Sequence, residues 1–293
     1  MINLDASRIR ELAASVSQIP VEAFYRIDTM EPEYKVFGSL NGKYAKASAG
    51  KFDSMLALLG IGTGLIDYQQ KNPAKSVWQP LERIVDQHGF PSALNEAREV
   101  HLRLAASSRF GSAKSARVGR MYQSGFASWF WQNDLTEIRK DPYKAWRTLA
   151  RNMGDPVDKK TIVMAMKAFD METLALTKHY LQFSADIPIM VDSRITYVSL
   201  SSGIVVVEPF TSVDDIASRY RSQIIRAWFE VINIVRSIIG QEFNALRLDS
   251  LVWQAGEYKN RAAIASYLRR MQLSPEVASR VASQLIWKDE GCQ

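Results

Sequence analysis

The chain has one cysteine, Cys292, and three histidines in 293 residues. One cysteine closes no intrachain disulfide, so a reducing compartment is the simpler setting. It also excludes a zinc site built from cysteines, and His88, His101 and His179 share no metal-ligand spacing. No apolar run approaches the roughly 20 residues that span a bilayer. The opening Met1-Ile2-Asn3-Leu4-Asp5 has no apolar signal core. Internal repeats, low-complexity tracts and flexible linkers are absent too. The expectation is a cytoplasmic protein that uses no metal, no nucleotide cofactor and no membrane.

What the chain does have is apolar residues, at 47%, beside 23% charged ones, which is ordinary for a globular protein with an ample core. The formal charge is +6 and the pI about 9.3, a balance that favours a polyanionic partner. Acidic residues are missing altogether from 101–120, which carries Arg103, Arg109, Lys114, Arg117 and Arg120. That stretch is either a solvated surface or a phosphate-contacting face, and five phosphate contacts give a log–log salt slope of roughly −4 to −5. The aromatic group Tyr122, Phe126, Trp129, Phe130 and Trp131 follows, and it reads as core rather than as a base-stacking platform.

Nearly every periodic segment is helical, so the fold class is all-α. Asp5 caps a helix through about Val16 with Ile9, Leu12, Ala13 and Val16 on one face. Residues 38–51, rich in Gly, Ser, Ala and Lys, read as a loop. Phe52 to Tyr68 reads as a buried helix whose Gly60, Gly62 and Gly64 weaken it by up to about 1 kcal/mol each yet permit close helix approach. Helices are expected at about 76–88, 93–107 and 142–152. Gly154-Asp155-Pro156-Val157-Asp158 makes a tight turn, and a long helix then runs from Lys160 to about Phe183. Residues 142–170 thus read as helix, hairpin, helix, an arrangement that aims backbone N–H groups at a phosphate. Ile204 to Val207 is an isolated apolar run, too lone for a sheet, and one long helix starts at about Ser212 and ends at Gly240. Helices at about 243–255, 258–271 and 274–287 complete the chain.

One pair suggests a reaction. Lys160 sits in the first turn of its helix, where the positive end of the helix dipole and the neighbouring Lys159 and Lys167 disfavour an ammonium. A neutral amine attacks electrophilic carbon; the alternative is a solvated lysine that tolerates its place. Asp192 closes the apolar run Ile187, Ile189, Met190, Val191. It is a favoured N-cap, and a capping aspartate can also stabilise a developing cation. A straight helix to Phe183 carries the chain about 35 Å away from Lys160. Residues 184–192, fully extended, return about 30 Å, so the two meet only if the helix bends or ends early.

Lys-Lys-Thr-Ile-Val at 159–163, Lys167, and Asp-Ile-Pro-Ile-Met-Val-Asp ending at Asp192 resemble the archaeal 8-oxoguanine DNA glycosylase (AGOG) family. Leu248-Asp249-Ser250-Leu251-Val252-Trp253-Gln254-Ala255-Gly256 and the terminal Trp287…Gly291-Cys292 extend the resemblance. It is specific over about 158–256, loose over the first 80 residues and poor over 85–150. It implies a two-lobed helix-hairpin-helix DNA glycosylase fold with the active site in the cleft between lobes, about 60–175 forming one lobe and about 1–59 with 176–293 the other. It implies a bifunctional enzyme in which Lys160 is the Schiff-base nucleophile, Asp192 assists, and strand cleavage follows by β-elimination. It assigns Glu33, Trp78, Lys167, Asp249 and Trp253 to the flipped base and Gly154 of the hairpin to DNA, where the arginine-rich stretch also belongs. The implied partner is duplex DNA carrying oxidised guanine, bound by a nucleoid-associated monomer. The family has glutamine at the place of Glu33 and proline at that of Met190. Glutamine donates and accepts a hydrogen bond, whereas an ionised glutamate only accepts.

Overall fold

The computed structural model describes residues 1–46, 51–68, 75–183, 186–240 and 243–287. The chain divides into two units, one of residues 1–28 with 184–293 and one of residues 29–183. Residues 29–59 therefore belong with 60–183.

The first unit begins with β1 (Ile2–Leu4) and α1 (Ala6–Val16). Asp5 caps α1 by accepting from the N–H groups of Ser7 and Arg8, and Ile9, Leu12, Ala13 and Val16 are buried as the periodicity requires. Helix α2 (Val21–Thr29) leads into the second unit.

That unit comprises α3 (Pro32–Tyr44), α4 (Phe52–Ile66), α5 (Lys75–His88), α6 (Leu94–Ala106), α7 (Gly111–Gln123), α8 (Phe126–Gln132), α9 (Leu135–Lys140), α10 (Pro142–Met153) and α11 (Lys160–Thr177). Its centre is α11 against α4 and α3. The glycines of α4 make this possible: a Cβ on Gly64 would lie 2.7 Å from Ala165 Cα, and one on Gly60 2.8 Å from the Phe37 ring. Gly62 leaves room for His101, whose ring bonds Tyr122 Oη at 2.9 Å and the Leu59 carbonyl at 3.0 Å. Burial pushes the His101 imidazole down to about 4, so it is a neutral core residue. Phe126 and Phe130 are buried, the latter edge-on to Phe169 at 5.6 Å, while Trp129 and Trp131 are half-buried.

Three helical segments differ from their sequence-based expectations, as does the strand described below. Residues 38–44 are helix, not loop: Val36, Phe37 and Leu40 are buried while Gly38 and Gly42 face open space, so tertiary packing overrides two unfavourable glycines. The expected loop's residues 47–50 lie outside the described residues. Helix α11 stops at Thr177 rather than near Phe183, because Lys178 adopts a left-handed conformation (φ 63). There its ammonium accompanies the final carbonyls, donating to the Ala175 oxygen at 2.9 Å. Residues 212–240 form two helices that part at Tyr220.

The chain then returns to the first unit with α12 (Ser193–Ser201), β2 (Val205–Val207), α13 (Val213–Arg219), α14 (Arg221–Ile239), α15 (Ala245–Ala255), α16 (Arg261–Arg270) and α17 (Pro275–Leu285). Val205–Val207 is not isolated: it pairs antiparallel with Ile2–Leu4, Ile2 opposite Val207. A partner two hundred residues away leaves no local signal. Among the described residues no helix is long and apolar enough to cross a membrane.

Candidate active site

Lys160 is the first residue of α11 and is half-buried. The turn that delivers it starts at Gly154, whose left-handed φ of 64 ends α10 and which is exposed. Asp155 is the turn's anchor. It accepts from Arg117 at 2.7 Å and pairs with Lys159 at 3.0 Å. Burial alone would raise its pKa, but the bonds from Lys159 and Arg117 outweigh that and hold it low. Arg117 also donates to the Leu65 carbonyl at 3.1 Å and to Thr161 Oγ1 at 2.5 Å, joining the turn, α4 and the first turn of α11. On the other side, Trp146 Nε1–H donates to the Val157 carbonyl at 2.8 Å. No side chain caps α11, and no acidic residue lies in its first turn. An amine on a fixed turn beside uncapped helix N–H groups can act on an electrophilic carbon next to an anion.

Two turns along α11, Lys167 is buried and lies 3.4 Å from Glu31. Glu33, on the first turn of α3, is only 2% exposed. Burial, the adjoining Glu31 carboxylate and the more remote Asp67 push its pKa up to about 8 against the pull of Lys167. Asp67, at the C-terminus of α4, accepts from Trp78 Nε1–H at 3.2 Å, and the Trp78 ring is fully buried edge-on to Phe37. Lys114 is also buried, with its ammonium 4.9 Å from the Tyr68 ring. Burial lowers its pKa and Asp67 opposes that shift. The second unit thus gathers Glu33, Trp78 and Lys167, and adds Glu31 and Asp67. Neither addition was apparent in the sequence, although Asp67 follows directly on the apolar run Leu65-Ile66 that ends α4.

In the first unit, Asp192 is the N-cap of α12, its Oδ1 accepting from the N–H groups of Arg194 at 2.9 Å and Ile195 at 3.0 Å. It is half-buried. Asp249 is buried on α15 and accepts from Met190 N–H at 3.3 Å, which ties the segment before Asp192 to that helix. This bond needs a backbone N–H at position 190, which proline lacks. Trp253, one turn beyond Asp249, is half-exposed, and the Arg194 guanidinium sits 4.1 Å from its ring centroid. Arg194, two residues after the capping aspartate, is a further member that the sequence did not single out.

The basic stretch does not act as one face. Arg103, Arg109 and Arg120 are exposed, Lys114 is buried, and Arg117 is held by the turn. A phosphate can therefore reach three of these five cations directly. Lys114 and Arg117 project inward where α7 packs against α4 and α10, and Arg117 bonds across that packing.

The chain is thus an all-α protein in which, in one unit, a lysine opens a buried central helix and, in the other, an aspartate caps a helix. A family model for AGOG, described as an N-glycosylase/DNA lyase, matches residues 13–283, and the chain belongs to that family of DNA repair enzymes. The fold is similar to that of the 8-oxoguanine DNA glycosylase from Pyrobaculum aerophilum solved in complex with 8-oxoguanosine, with a TM-score of 0.72 at 16% identity over 99% of each chain.

Proposed function

We propose that this DNA glycosylase/lyase excises 8-oxoguanine from duplex DNA through a Schiff base on Lys160 and then cuts the strand by β-elimination. The observation that carries the reading is the placement of Lys160 as the first residue of an uncapped helix, on a turn locked by Arg117 and Trp146. The lone pair of Lys160 Nζ attacks the sugar C1′, the bond from C1′ to the base nitrogen breaks, and the base departs with that electron pair and takes up a proton. The Asp192 carboxylate accepts the proton lost by the amine and stabilises positive charge on the sugar. Opening of the sugar ring gives a protonated imine. Loss of a C2′ proton then expels the 3′ phosphate, and water releases the lysine.

Flipping the damaged nucleotide costs a few kcal/mol, recovered by stacking and edge hydrogen bonds. Trp78 and Trp253 are the aromatic groups assigned to the base, Asp249 the acceptor for its N–H donors, and Lys167 with Glu33 the further polar contacts. Arg103, Arg109, Arg120 and the Gly154 turn are assigned to DNA phosphates.

The test is borohydride trapping on a labelled duplex carrying one 8-oxoguanine opposite cytosine, beside undamaged and abasic-site duplexes. The expected result is a covalent adduct on the damaged and abasic strands that is lost in Lys160→Gln, while Lys160→Gln still binds damaged DNA. An adduct on the abasic duplex alone would assign the chain to a different damaged base. No adduct on either duplex would overturn the Schiff-base reading and leave a DNA-binding protein.

A further inference from the structure

The connection from α6 to α7 ends in an aromatic tip. Phe110 is 46% exposed. Among the described residues of the second unit, Met30 and Val157 are the other large apolar side chains so exposed, and neither is aromatic. The Phe110 backbone is left-handed, at φ 60 and ψ 38, a conformation that bulky side chains rarely adopt. Hydrogen bonds and close packing hold the tip in that shape. Ser107 Oγ donates to the Leu104 carbonyl at 3.0 Å, and Ser108 Oγ to that of Ala105 at 2.9 Å. A Cβ on Gly111 would lie 3.1 Å from the Ala105 oxygen, so the chain turns tightly against the end of α6. The Phe110 carbonyl then accepts from Lys114 N–H at 3.0 Å as α7 begins. Glycine or asparagine suits this backbone better, and the ring adds little to the core, so the fold does not account for a phenylalanine here.

The surroundings of the ring are cationic. The exposed Arg109 places its guanidinium 4.7 Å from the ring centroid. No Asp or Glu occurs from residue 100 to residue 133. No side chain caps α7, and its first turn has no acidic residue. The exposed residues that follow are the small Ser112, Ala113 and Ala116 and then Arg120, so no bulky side chain of α7 holds a large partner off. An arginine beside a stacking ring suits a polyanion that carries flat bases. The same helix reaches the turn that bears Lys160. Arg117, seven residues on from Phe110, bonds Asp155 and Thr161, which flank Lys160 in the chain. Seven residues of helix span about 10 Å, the length of roughly three base steps.

We propose that Phe110 is the wedge that enters the base stack of duplex DNA and fills the gap left by the flipped nucleotide, with Arg109 on an adjoining phosphate. This rests on the glycosylase reading, since only a flipped nucleotide leaves such a gap. Apolar side chains serve as wedges between base steps, and an aromatic ring replaces lost stacking whatever the neighbouring bases are. A ring on a tightly closed turn is already presented outside the fold, so little freedom is lost when it is inserted. The unfavourable backbone of Phe110 is the cost of holding a large apolar group where the protein itself has no use for it.

The experiment measures affinity for an undamaged duplex and for the same duplex carrying one tetrahydrofuran abasic-site analogue, whose missing base leaves the gap ready made. Wild type is compared with Phe110→Asn, Phe110→Trp and Arg109→Ala, with Tm and strand cleavage of a preformed abasic-site duplex measured alongside. Stacking of one base on an aromatic ring corresponds to about 5- to 150-fold in affinity. Phe110→Asn is expected to lose the preference for the gapped duplex by about tenfold or more while binding the undamaged duplex as wild type does. It is expected to melt no lower than wild type, because asparagine suits the left-handed backbone. Phe110→Trp is expected to keep the preference. Arg109→Ala is expected to weaken binding to both duplexes alike and to reduce the log–log salt slope by about 1. A Phe110→Asn protein that keeps the preference, or that loses both affinities equally as a purely structural change would, overturns the wedge alone. So does a wild type that cuts the abasic strand yet shows no preference. A wild type that neither prefers the gapped duplex nor cuts the abasic strand overturns the glycosylase reading, and the wedge with it.

Discussion

Gly64→Ala adds one methyl group where α4 crosses α11, and the structure states what that methyl meets. Its Cβ would lie 2.7 Å from Ala165 Cα, 2.8 Å from the Met164 oxygen and 2.9 Å from the Ala165 nitrogen. Carbon contacts become comfortable at about 3.5–4.0 Å, so the two helices must separate by roughly 1 Å. All three opposing atoms are backbone, and no rotamer change relieves them. Such overpacking costs about 1–3 kcal/mol, and a backbone-on-backbone clash belongs at the upper end. Alanine returns about 1 kcal/mol of helix propensity. The net loss is roughly 2 kcal/mol, or a fall in Tm of about 4–8 °C for a chain of this size. Gly38→Ala is the matched control: it makes the same chemical change in α3, with nothing within 4 Å of the new methyl. It is expected to stabilise by about 0.5–1 kcal/mol. Because Ala165 is five residues from Lys160 on the same helix, a displacement of this size also disturbs the amine, and excision by Gly64→Ala is expected to fall by up to about 100-fold. Thermal unfolding followed by circular dichroism, with single-turnover excision, checks both arms. A Gly64→Ala protein as stable as wild type, or shifts of the same sign for the two variants, would refute the close-packing argument.

Asp192→Asn keeps the carbonyl oxygen that accepts from Arg194 and Ile195, so α12 stays capped and the Tm is expected to move little. Excision is expected to drop by about 100-fold or more, since the amide takes up no proton; full activity in this variant would reduce Asp192 to a helix cap. Arg139→Met tests the buried pair in which Arg139 donates to both oxygens of Glu172, at 3.0 and 3.1 Å. Burial raises the Glu172 pKa to about 7 despite Arg139. Its folded value thus exceeds the ordinary carboxyl value of 4.5, and the stability it contributes is fully present below about 4.5 and lost as pH rises through about 7. Removing the arginine strands a charge only where Glu172 is ionised. Urea unfolding should therefore show a loss of about 3–5 kcal/mol at pH 8 and a much smaller one at pH 5, and equal losses would exclude Glu172 as the cause.

The helical class and most helix positions were legible because they depend on local period and on caps. Asp5, Asp192 and the glycines of α4 show this well: each carried a local reason that the structure repeats. The pairing of Ile2–Leu4 with Val205–Val207 was not legible, because a three-residue strand owes its existence to a partner at the other end of the chain. The site divides in the same way. The helix-terminal positions of Lys160 and Asp192 were legible, since a lysine at a helix start and an aspartate after an apolar run are local features. Glu31, Asp67 and Arg194 were hidden because nothing near them in sequence shows what they face.

Helix α11 explains why charge burial in particular escapes a sequence reading. Residues 161–175 are buried without interruption, although Lys167, Asp170 and Glu172 lie among them. A periodicity argument gives such residues to a solvated face, and here no such face exists. Each is compensated by a different and distant group: Lys167 by Glu31, Asp170 by the backbone N–H of Leu181 at 2.8 Å, and Glu172 by Arg139. The N-cap of α3, helix α9 and the segment after α11 must all be in place before the helix can bury these charges, so α11 is held in one register by polar partners as well as by its apolar surface. That constraint bears on the chemistry. The backbone that carries Lys160 is thereby held in place, and the reaction proposed for its amine draws on that preorganisation as well as on the lysine itself.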